Sequence, residues 1–317
     1  MTLGVLEKVV YCLVGWEIGN LCYVISGLVF IALLGFGWIV SYLSFMHSFL
    51  TVIGIVIIGV ALRSCRMRLL RKLGMLVYLV SSGVALYFMT GSVLAGLAGM
   101  GVWFMLPWLE LLTRVRRLRL PLNNKLQHRF PPNEDRFPNA DAMIEALEEA
   151  GFEHAKNCGW DWAGASQSYQ FFWHPEERCV AAVCFCQQAK ITFSFVTFSS
   201  RDLNGFMWRT SNYPFAPTLK ELPNVWHNQI GCGVATVNEM LASHHYFISR
   251  HGACHDDLCI PCPDGVEEDV EADMRSQIDF NLESGLIKLT GDGYFRYSFK
   301  GLFFLWMQFV KDMIRLC

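Results

Sequence analysis

The sequence predicts a membrane protein with an N-terminal four-helix transmembrane region, made of two hairpins, and a C-terminal cytosolic α+β domain with an antiparallel sheet. The chain of 317 residues is 53% hydrophobic and only 17% charged, whereas charged residues make up about a quarter of an ordinary soluble domain. Residues 1–119 carry ten Lys and Arg against three Asp and Glu, while residues 120–317 carry 16 against 25. This composition excludes disordered and collagen-like proteins, and it separates a basic apolar half from an acidic half.

Two long uncharged segments predict the membrane-spanning helices. No Asp, Glu, Lys or Arg occurs from Leu21 to Leu62 or from Leu73 to Leu109. Each segment is about twice as long as the ~20 residues that one spanning helix needs. We therefore expect a break at Ser44–Ser48 in the first segment and at Thr90–Ser92 in the second. The expected spans are 21–43, 46–66, 73–90 and 92–112.

Clusters of basic residues predict the orientation of these spans. Five Lys and Arg lie between residues 63 and 72 and four lie between residues 114 and 119, whereas the two hairpin tips carry none. The positive-inside rule then places both clusters in the cytosol. We expect a multi-pass protein with cytosolic N- and C-termini, in which residues 1–20 are an interfacial or cytosolic lead-in and residues 21–119 are the transmembrane domain.

Small and hydroxyl-bearing residues within the spans predict close helix packing. Ala95 and Gly99 are four residues apart, and Ser81 and Ser82 could bond across helices. This pattern favours a bundle and a homo-oligomer in the lipid bilayer. The predicted spans contain no acidic ring, arginine ladder or histidine chain, which argues against a proton pump or a voltage sensor. A channel lined by small and hydroxyl residues is an alternative.

The acidic half predicts a linker and then a domain that begins at residue 139. Prolines and asparagines in residues 120–138 indicate the linker, and residues 139–317 form the domain. A helix should end at Gly151. Short β-rich segments then follow, with connections too short for parallel crossovers, so an antiparallel meander within 152–211 is expected. The expected strands are Ser168–His174, Cys179–Cys186, Ile191–Phe198 and Phe206–Thr210.

The remainder of the domain predicts three further helices and a hairpin. Helices are expected over 234–250 and 266–284, the second with a capping box formed by Asp264 and Glu267. Gly291-Asp292-Gly293 predicts a hairpin turn. The last helix, Leu302–Leu316, is amphipathic and too short to span a bilayer, so the membrane surface, the domain core or a neighbouring subunit must cover its apolar side. That side comprises Phe303, Phe304, Trp306, Phe309, Met313 and Ile314.

A group of cysteine and histidine residues that are close in sequence suggests a metal site. Cys259 and Cys262 form a C-x-x-C pair at a spacing typical of zinc sites, with Cys254 and His251 close in sequence. The usual second ligand pair is missing, so ordinary loop thiols in a reducing compartment are the simpler interpretation. We expect no cofactor and keep zinc as the alternative. His244 lies in the apolar stripe of a helix, so a hydrogen-bonded core position is favoured over a ligand role.

An aromatic cluster provides the ligand hypothesis. Trp160, Trp162 and Trp173 belong to a run of aromatic residues that could line a binding pocket, although the packing face of a sheet is the commoner use. Asn212 and Tyr213 follow a predicted strand and could contact a ligand or hold the backbone. Nucleic-acid binding is disfavoured because the domain is acidic.

The sequence contains no catalytic motif of the P-loop, nucleophile-elbow, zinc-protease or dinucleotide-binding type. The leading hypothesis is a non-enzymatic effector, in which the cytosolic domain senses a small molecule or a cytosolic protein and controls an oligomeric transmembrane bundle. Two alternatives stay open. One is a membrane-bound hydrolase or transferase that uses cytosolic His and Cys residues, and the other is a membrane scaffold or assembly subunit.

Overall fold

The computed structural model describes residues 42–65, 67–123, 125–130, 137, 140–162, 165–188, 191–231, 236–291 and 293–316. The chain divides into two compact units. We call the first the helical unit; its described part comprises residues 42–114 and 305–316. We call the second the sheet unit; its described part lies within residues 115–304. Each unit is described by itself.

The helical unit contains a helical hairpin whose turn matches the prediction. The helices are α1 (Tyr42–Arg63), α2 (Arg68–Thr90) and α3 (Val93–Thr113). Gly91 ends α2 with φ 68°, and its amide donates to the Tyr87 carbonyl at 2.8 Å. This left-handed conformation suits glycine because it has no Cβ. The predicted break at Thr90–Ser92 is therefore confirmed.

The predicted break at Ser44–Ser48 is wrong, because α1 continues through it. The segment, Ser-Phe-Met-His-Ser, contains no glycine or proline, so no strong helix breaker ends the helix there. The predicted span 21–43 lies almost entirely outside the described residues. Among the described residues, Leu69–Thr90 and Val93–Arg117 are long and apolar enough to cross a membrane, whereas the apolar helix His47–Arg63 is shorter. A four-helix transmembrane region is therefore not supported.

Close packing of α2 and α3 depends on small residues, as expected. A Cβ added at Gly99 would lie 2.9 Å from the Ser82 carbonyl oxygen, and one added at Gly96 would lie 3.1 Å from the Gly83 carbonyl oxygen. Ser82 Oγ accepts from Trp103 Nε1 of α3 at 3.0 Å, while its hydroxyl donates to the Leu79 carbonyl at 2.8 Å and lies 3.3 Å from the Gly99 carbonyl of α3. Ser82 thus bonds across the helices.

The sheet unit combines two sheets with four helices among its described residues, the last of which continues into the helical unit. The helices are α4 (Ala140–Glu149), α5 (Val237–Arg250), α6 (Val266–Glu283) and α7 (Phe299–Leu316). The strands are β1 (Leu120–Pro121), β2 (Gln127–His128), β3 (Glu153–Trp162), β4 (Ala165–His174), β5 (Cys179–Gln188), β6 (Ile191–Arg201), β7 (Met207–Ser211), β8 (Val225–Gln229), β9 (Ile287–Leu289) and β10 (Tyr294–Tyr297). The short strands β1 and β2 fall inside the segment that was predicted to be a linker.

The larger sheet has seven strands in the order β2-β3-β4-β5-β6-β7-β8. Neighbouring strands from β2 to β7 pair antiparallel, as predicted for the meander, but β8 pairs parallel to β7. The antiparallel sheet predicted within 152–211 is therefore confirmed for β3 to β7, whereas β8, which lies outside that range, makes the complete sheet mixed. Residues 212–224 connect β7 to β8, and this connection has the dozen or so residues that a parallel crossover needs.

The two faces of this sheet have different coverings. Alternate side chains of a strand point to opposite faces. On one face, Phe172, Val183 and Phe198 form a buried core with Leu147 of α4 and Met240 of α5. On the other face, buried aromatic and thiol side chains pack with residues of α6.

Local signals explain several boundaries in the rest of the sheet unit. Gly151 and Gly285 have positive φ values at the ends of α4 and α6, as expected. The strands β9 and β10 form the predicted antiparallel hairpin. The predicted capping box of α6 is wrong, because Gly265 is the N-cap and Pro263–Gly265 forms a separate helical turn.

The last helix is buried on one side, but this side includes only some of the apolar residues that the sequence predicted to be covered. Leu305 and Phe309 of α7 are fully buried, whereas Phe303 and Ile314 are more than half exposed. Within the helical unit, Trp306 Nε1 donates to the Phe104 carbonyl in α3 at 2.6 Å. Packing within the chain therefore covers only part of this apolar surface.

Candidate functional site

The candidate site is a cavity of about 200 Å³ on the α6 side of the large sheet. Strands β3 to β8 supply its floor, and α6 and the segment 213–222 supply its other walls. The lining residues are Trp160, Tyr169, Phe171, Ala182, Cys184, Phe195, Thr197, Ser199, Arg209, Ser211, Tyr213, Phe215, Pro217, Glu221, Leu222, Val225, His227, Val270, Asp273, Met274 and Gln277.

One part of the wall is aromatic. The rings of Phe195 and Tyr213 lie 4.9 Å apart, and Phe215 lies 5.6 Å from Tyr213 with its ring edge-on. The rings of Tyr169 and Phe171 stack with centroids 5.9 Å apart. Such rings provide a rigid apolar surface on which a planar ligand could stack.

A polar row crosses the other end of the cavity. Ser199 pairs in register with Arg209, and Arg209 pairs in register with His227. Cross-strand partners lie on the same face of a sheet, and neighbouring strands are about 4.8 Å apart. The fold therefore brings a hydroxyl, a guanidinium and an imidazole together, although they are distant in sequence.

Glu221 orients the imidazole. His227 Nδ1 lies 2.7 Å from Glu221 Oε1. Burial opposes ionisation of Glu221, but the hydrogen bond from His227 and the positive charges of His227 and Arg209 outweigh it and lower the pKa of Glu221. An ionised carboxylate only accepts hydrogen bonds, so Nδ1 carries the proton and donates. Nε2 of the same ring is buried and has no hydrogen-bond partner among the described residues.

Arg209 is the second polar group of the cavity with unused hydrogen-bonding capacity. Its guanidinium makes one hydrogen bond within the described part of the chain, to the Met207 sulfur at 3.3 Å, and lies in no ion pair there. Asp273 on the same wall differs from Arg209, because its carboxylate accepts two hydrogen bonds from Arg201 Nη2, at 2.8 and 3.0 Å.

Two side-chain amides hold the segment that carries Glu221. Asn281 in α6 is fully buried, accepts from the Lys220 amide at 2.9 Å and donates to the Lys220 carbonyl at 2.8 Å. Gln229 Nε2 in β8 donates to the carbonyls of Tyr213 and Phe215 at 2.7 and 2.8 Å. The wall opposite the sheet is therefore fixed by specific hydrogen bonds rather than by packing alone.

The predicted ligand-binding residues divide into two groups. Trp160 and Tyr213 line the cavity. Asn212 Oδ1 accepts from the Val196 amide at 2.8 Å, which holds the backbone. Trp162 is buried against Phe295, and Trp173 is half-buried at the end of β4, outside the cavity lining. A ligand role for these five residues stays a prediction.

Sequence reasoning missed Arg209, Glu221 and His227. Alternation within Met207–Ser211 could have placed Arg209 and Ser211 on one face, but no local signal connects them to His227. The segment that contains His227 was not recognised as a strand, since its polar residues weaken the β pattern.

The predicted zinc ligands are dispersed over a loop and a helix end. Among the described residues, no group of three or more His, Cys, Asp or Glu side chains is arranged to hold a metal ion. Cys254 and Cys262 are exposed, and Cys259 is half-buried. The His251 ring lies against Trp226 and Phe247, 4.8 and 4.5 Å between centroids. The zinc hypothesis stays a prediction.

His244 occupies the core position that its sequence pattern favoured. It is fully buried on the α5 side of the sheet, with Nδ1 2.9 Å from Thr210 Oγ1 and Nε2 3.1 Å from Ser200 Oγ. Burial, and to a lesser extent the charge of His245, lowers the pKa of His244 to about 3. This histidine is therefore neutral at physiological pH and belongs to the structural core.

A second recess of about 360 Å³ lies beside α6 but has a different character. It is lined by Leu122, Asn123, Lys125, Glu271, Met274 and Arg275. Asn123, Lys125 and Arg275 are exposed, and the Glu271 carboxylate already accepts from the Leu126 amide at 2.7 Å. The aromatic cavity is therefore the stronger candidate, because its polar residues are half-buried or buried and not all of their polar atoms have partners among the described residues.

The cavity combines a rigid apolar wall, a cation without a paired carboxylate and an imidazole oriented by a carboxylate. Such an arrangement can bind a small molecule that is apolar on one side and polar on the other. Comparison of the chain with models of known protein families, with curated proteins and with solved structures found no match.

Proposed function

We propose that this chain is a membrane effector whose sheet unit senses a small molecule in the aromatic cavity and thereby controls an oligomeric transmembrane bundle. The observation that carries the proposal is the polar row at the cavity end, where Arg209 and Nε2 of His227 lack polar protein partners among the described residues. Buried polar atoms are normally satisfied, so the unpartnered Nε2 of His227 beside the cavity supports a binding site there. The half-buried guanidinium of Arg209 is available to a ligand at the same end.

The composition and exposure of α2 and α3 support the membrane part of the proposal. Only 22% and 17% of the residues in their most apolar windows are buried, unlike the core helices of a soluble protein. Both helices also lie far from the N-terminus, unlike a secretory signal. A multi-pass topology with cytosolic termini and a homo-oligomeric state follow from the charge pattern and the small-residue packing, and both belong to the proposal.

A membrane-bound hydrolase or transferase is the second candidate, because Glu221 orients His227 as a carboxylate orients a general base. A nucleophile is also required. Cys184 lines the cavity, but burial raises its pKa to about 12, so the thiolate is scarce at neutral pH. Ser199, the hydroxyl of the polar row, pairs with Arg209 and lies two strands away from His227, so it is not placed as a nucleophile for this imidazole. Binding without covalent chemistry is therefore favoured.

Ligand screening tests the proposed function. The full chain, purified in detergent, is mixed with a library of single-ring and short-chain compounds, and thermal unfolding is followed. At least one compound should raise the melting temperature of the wild-type protein, since a ligand that binds only the folded state stabilises it. Val225→Phe, which places a ring in the cavity wall, should abolish that shift.

Leu203→Phe is the matched control, because Leu203 is exposed in a turn and does not line the cavity. Compounds that stabilise Val225→Phe as strongly as the wild type would place the ligand elsewhere and contradict the proposal. Sedimentation in detergent with and without a binder tests the bundle. A strict monomer under both conditions would contradict control of an oligomer.

A further inference from the structure

We propose that the three-stranded sheet of the sheet unit docks on the anionic lipid headgroups of the cytosolic leaflet through a basic patch that the fold assembles from two distant segments. The inference rests on the membrane span and the cytosolic orientation of the proposed function, and it adds the partner of a surface outside the ligand cavity. The patch consists of five exposed residues, namely Arg116, Arg117, Arg119, Lys288 and Arg296.

Strand pairing brings the two segments together. The small sheet has the strand order β1-β10-β9, and Arg296 of β10 is the direct partner of Lys288 in β9. Leu120 of β1 pairs with Phe295, so the same antiparallel register continued by one residue places Arg119 opposite Arg296. Neighbouring strands are about 4.8 Å apart. Three cations from distant parts of the chain therefore form one row across the sheet.

Burial shows which face of the small sheet carries this row. Phe295 and Tyr297 of β10 are 0% and 3% exposed, whereas Tyr294 and Arg296 of the same strand are exposed. Alternate side chains of a strand point to opposite faces. The row of cations and Tyr294 therefore lie on the outer face, and tyrosine is enriched where proteins meet the membrane–water interface.

The charges of the patch have no anionic protein partner within the described part of the chain. The ion pairs found there include none of its five members. Arg296 and Lys288 are direct cross-strand partners, and like charges in that position destabilise a sheet. The helical turn Val115–Arg117, which packs against β10, adds two more arginines. An anionic surface would offset this repulsion.

The covalent connection to α3 selects the bilayer as that surface. Arg119 follows the candidate span Val93–Arg117 by two residues, and two residues of extended chain reach at most ~7 Å. Arg119 is therefore at headgroup level if this span crosses the membrane. Anionic lipids of the cytosolic leaflet attract basic residues next to a span, and guanidinium groups bind phosphate in a two-point contact.

The charge of the remaining domain favours docking through this patch. Residues 120–317 carry 25 Asp and Glu against 16 Lys and Arg. An anionic membrane therefore attracts the patch and repels most of the remaining surface. This difference defines the side of the sheet unit that faces the bilayer, and it makes the contact depend on lipid composition.

Acylation of Lys288 in lipid nanodiscs tests the inference. The full chain is assembled in discs of phosphatidylcholine, with or without phosphatidylglycerol, and mass spectrometry follows its reaction with a water-soluble acylating reagent. Lys288 should react at least about fivefold more slowly in the anionic discs, which is the contribution of one basic residue near such a surface. Lys220 should react equally in both. It is exposed, but its segment lies at the buried face of the small sheet, where Tyr297 Oη donates to the Thr218 carbonyl at 3.4 Å.

Substitution of the neighbouring cation separates docking from local reactivity. Arg296→Gln keeps the probe lysine and removes one charge, so it should bring the ratio of the two acylation rates about fivefold closer to one. The ratio within each variant cancels any effect of the substitution on the amine itself. Arg250→Gln removes the same charge at the exposed end of α5 and should leave the ratio unchanged. The melting temperature of Arg296→Gln in neutral detergent should be unchanged or slightly raised, because a like-charge pair is lost.

Three results would overturn the inference. One is equal acylation of Lys288 in the two kinds of disc. Another is protection that Arg296→Gln and Arg250→Gln reduce alike. The third is protection by inorganic phosphate, RNA or polyglutamate in phosphatidylcholine discs but none by phosphatidylglycerol, which would assign the patch to a soluble anion.

The proposed function can be judged separately from the docking. The ligand screen with Val225→Phe is carried out in detergent without anionic lipid, so ligand sensing stands if a compound binds the cavity while Lys288 shows no protection. A chain that enters neither kind of disc would contradict the membrane part of the proposed function and the docking with it.

Discussion

Large apolar side chains face outwards in the helical unit and inwards in the sheet unit. Leu94 in α3 is 78% exposed, whereas Leu147 in α4 is 0% exposed, although both lie in helices. Polar side chains show the opposite distribution, inside the helical unit and mostly on the outside of the sheet unit. Ser82 bonds at the interface between α2 and α3, whereas most charged residues of α6, such as Glu268 and Arg275, are exposed. The same residue types are therefore used in opposite ways by two parts of one chain.

This difference in burial indicates which interactions stabilise each unit. In water, burial of apolar area is the main stabilising term, so the sheet unit places its large side chains between layers. Between helices in lipid this term is absent, and close backbone approach with cross-helix hydrogen bonds replaces it. The helical unit has both of these features at Gly99 and Ser82. The inverted arrangement therefore favours a lipid environment for the helical unit.

Truncation of one leucine in each unit gives the largest contrast. Leu147→Ala should lower the free energy of unfolding by about 2–5 kcal/mol, because it leaves a cavity in a closed core. Leu94→Ala should change it by about 0.5 kcal/mol or less, since its side chain touches little protein. Chemical unfolding in the same detergent measures both. Equal losses in the two variants would remove the distinction between the units.

Acidification should destabilise the sheet unit through His244. The folded-state pKa of about 3 lies below the usual 6.5, so the unfolded chain binds more protons between these values. The contribution is complete above pH 6.5, and the free energy of unfolding should fall by about 1.4 kcal/mol for each pH unit below it. Unfolding measured from pH 7 to pH 5 tests this. His244→Gln should flatten the dependence, whereas the exposed His128→Gln should not. An unaltered slope in His244→Gln would contradict the assignment.

Close packing of α2 and α3 can be tested with two glycines of one helix. Gly99→Leu should destabilise the helical unit by about 1–3 kcal/mol, because an added Cβ already lies 2.7 Å from Leu86 Cδ1. Gly101→Leu should be neutral or slightly stabilising, since nothing lies within 4 Å of its added Cβ. The readout is the melting temperature in detergent. If Gly101→Leu is the more disruptive variant, the helices pack through another face.

Thiol labelling compares exposed and buried cysteines in the wild-type protein, so no mutation changes its stability. Cys254 and Cys262 are exposed, whereas burial raises the pKa values of Cys179 and Cys184 to about 12. A membrane-impermeant maleimide should label the first pair in the native protein and the second pair only after denaturation. In intact cells it should label neither pair until the membrane is permeabilised, because the sheet unit is expected in the cytosol. Labelling of Cys254 from outside would reverse the proposed topology.

Most elements of the sheet unit could be predicted because their signals are local. Short β-rich segments bounded by turns predicted β4 to β7 to within a few residues, and the glycines after α4 and α6 marked where these helices end. The predictions were wrong where one local sequence pattern is compatible with two structures. The Asp264 and Glu267 spacing fits a capping box, but Pro263 starts a separate turn there. The apolar stretch around Ser44–Ser48 could bend or continue as a helix, and it continues.

The sequence by itself determined which segments avoid water, which strands alternate and which half carries each charge, since these properties depend on neighbouring residues. Only the tertiary structure decided that β8 joins β7 in parallel and that Arg209 then lies beside His227. That pairing closes a loop over residues 212–224, which is held by Gln229 of β8 and by Asn281, about 60 residues further along the chain. Because the cavity is built from such long-range pairings, it cannot be predicted from a local sequence pattern.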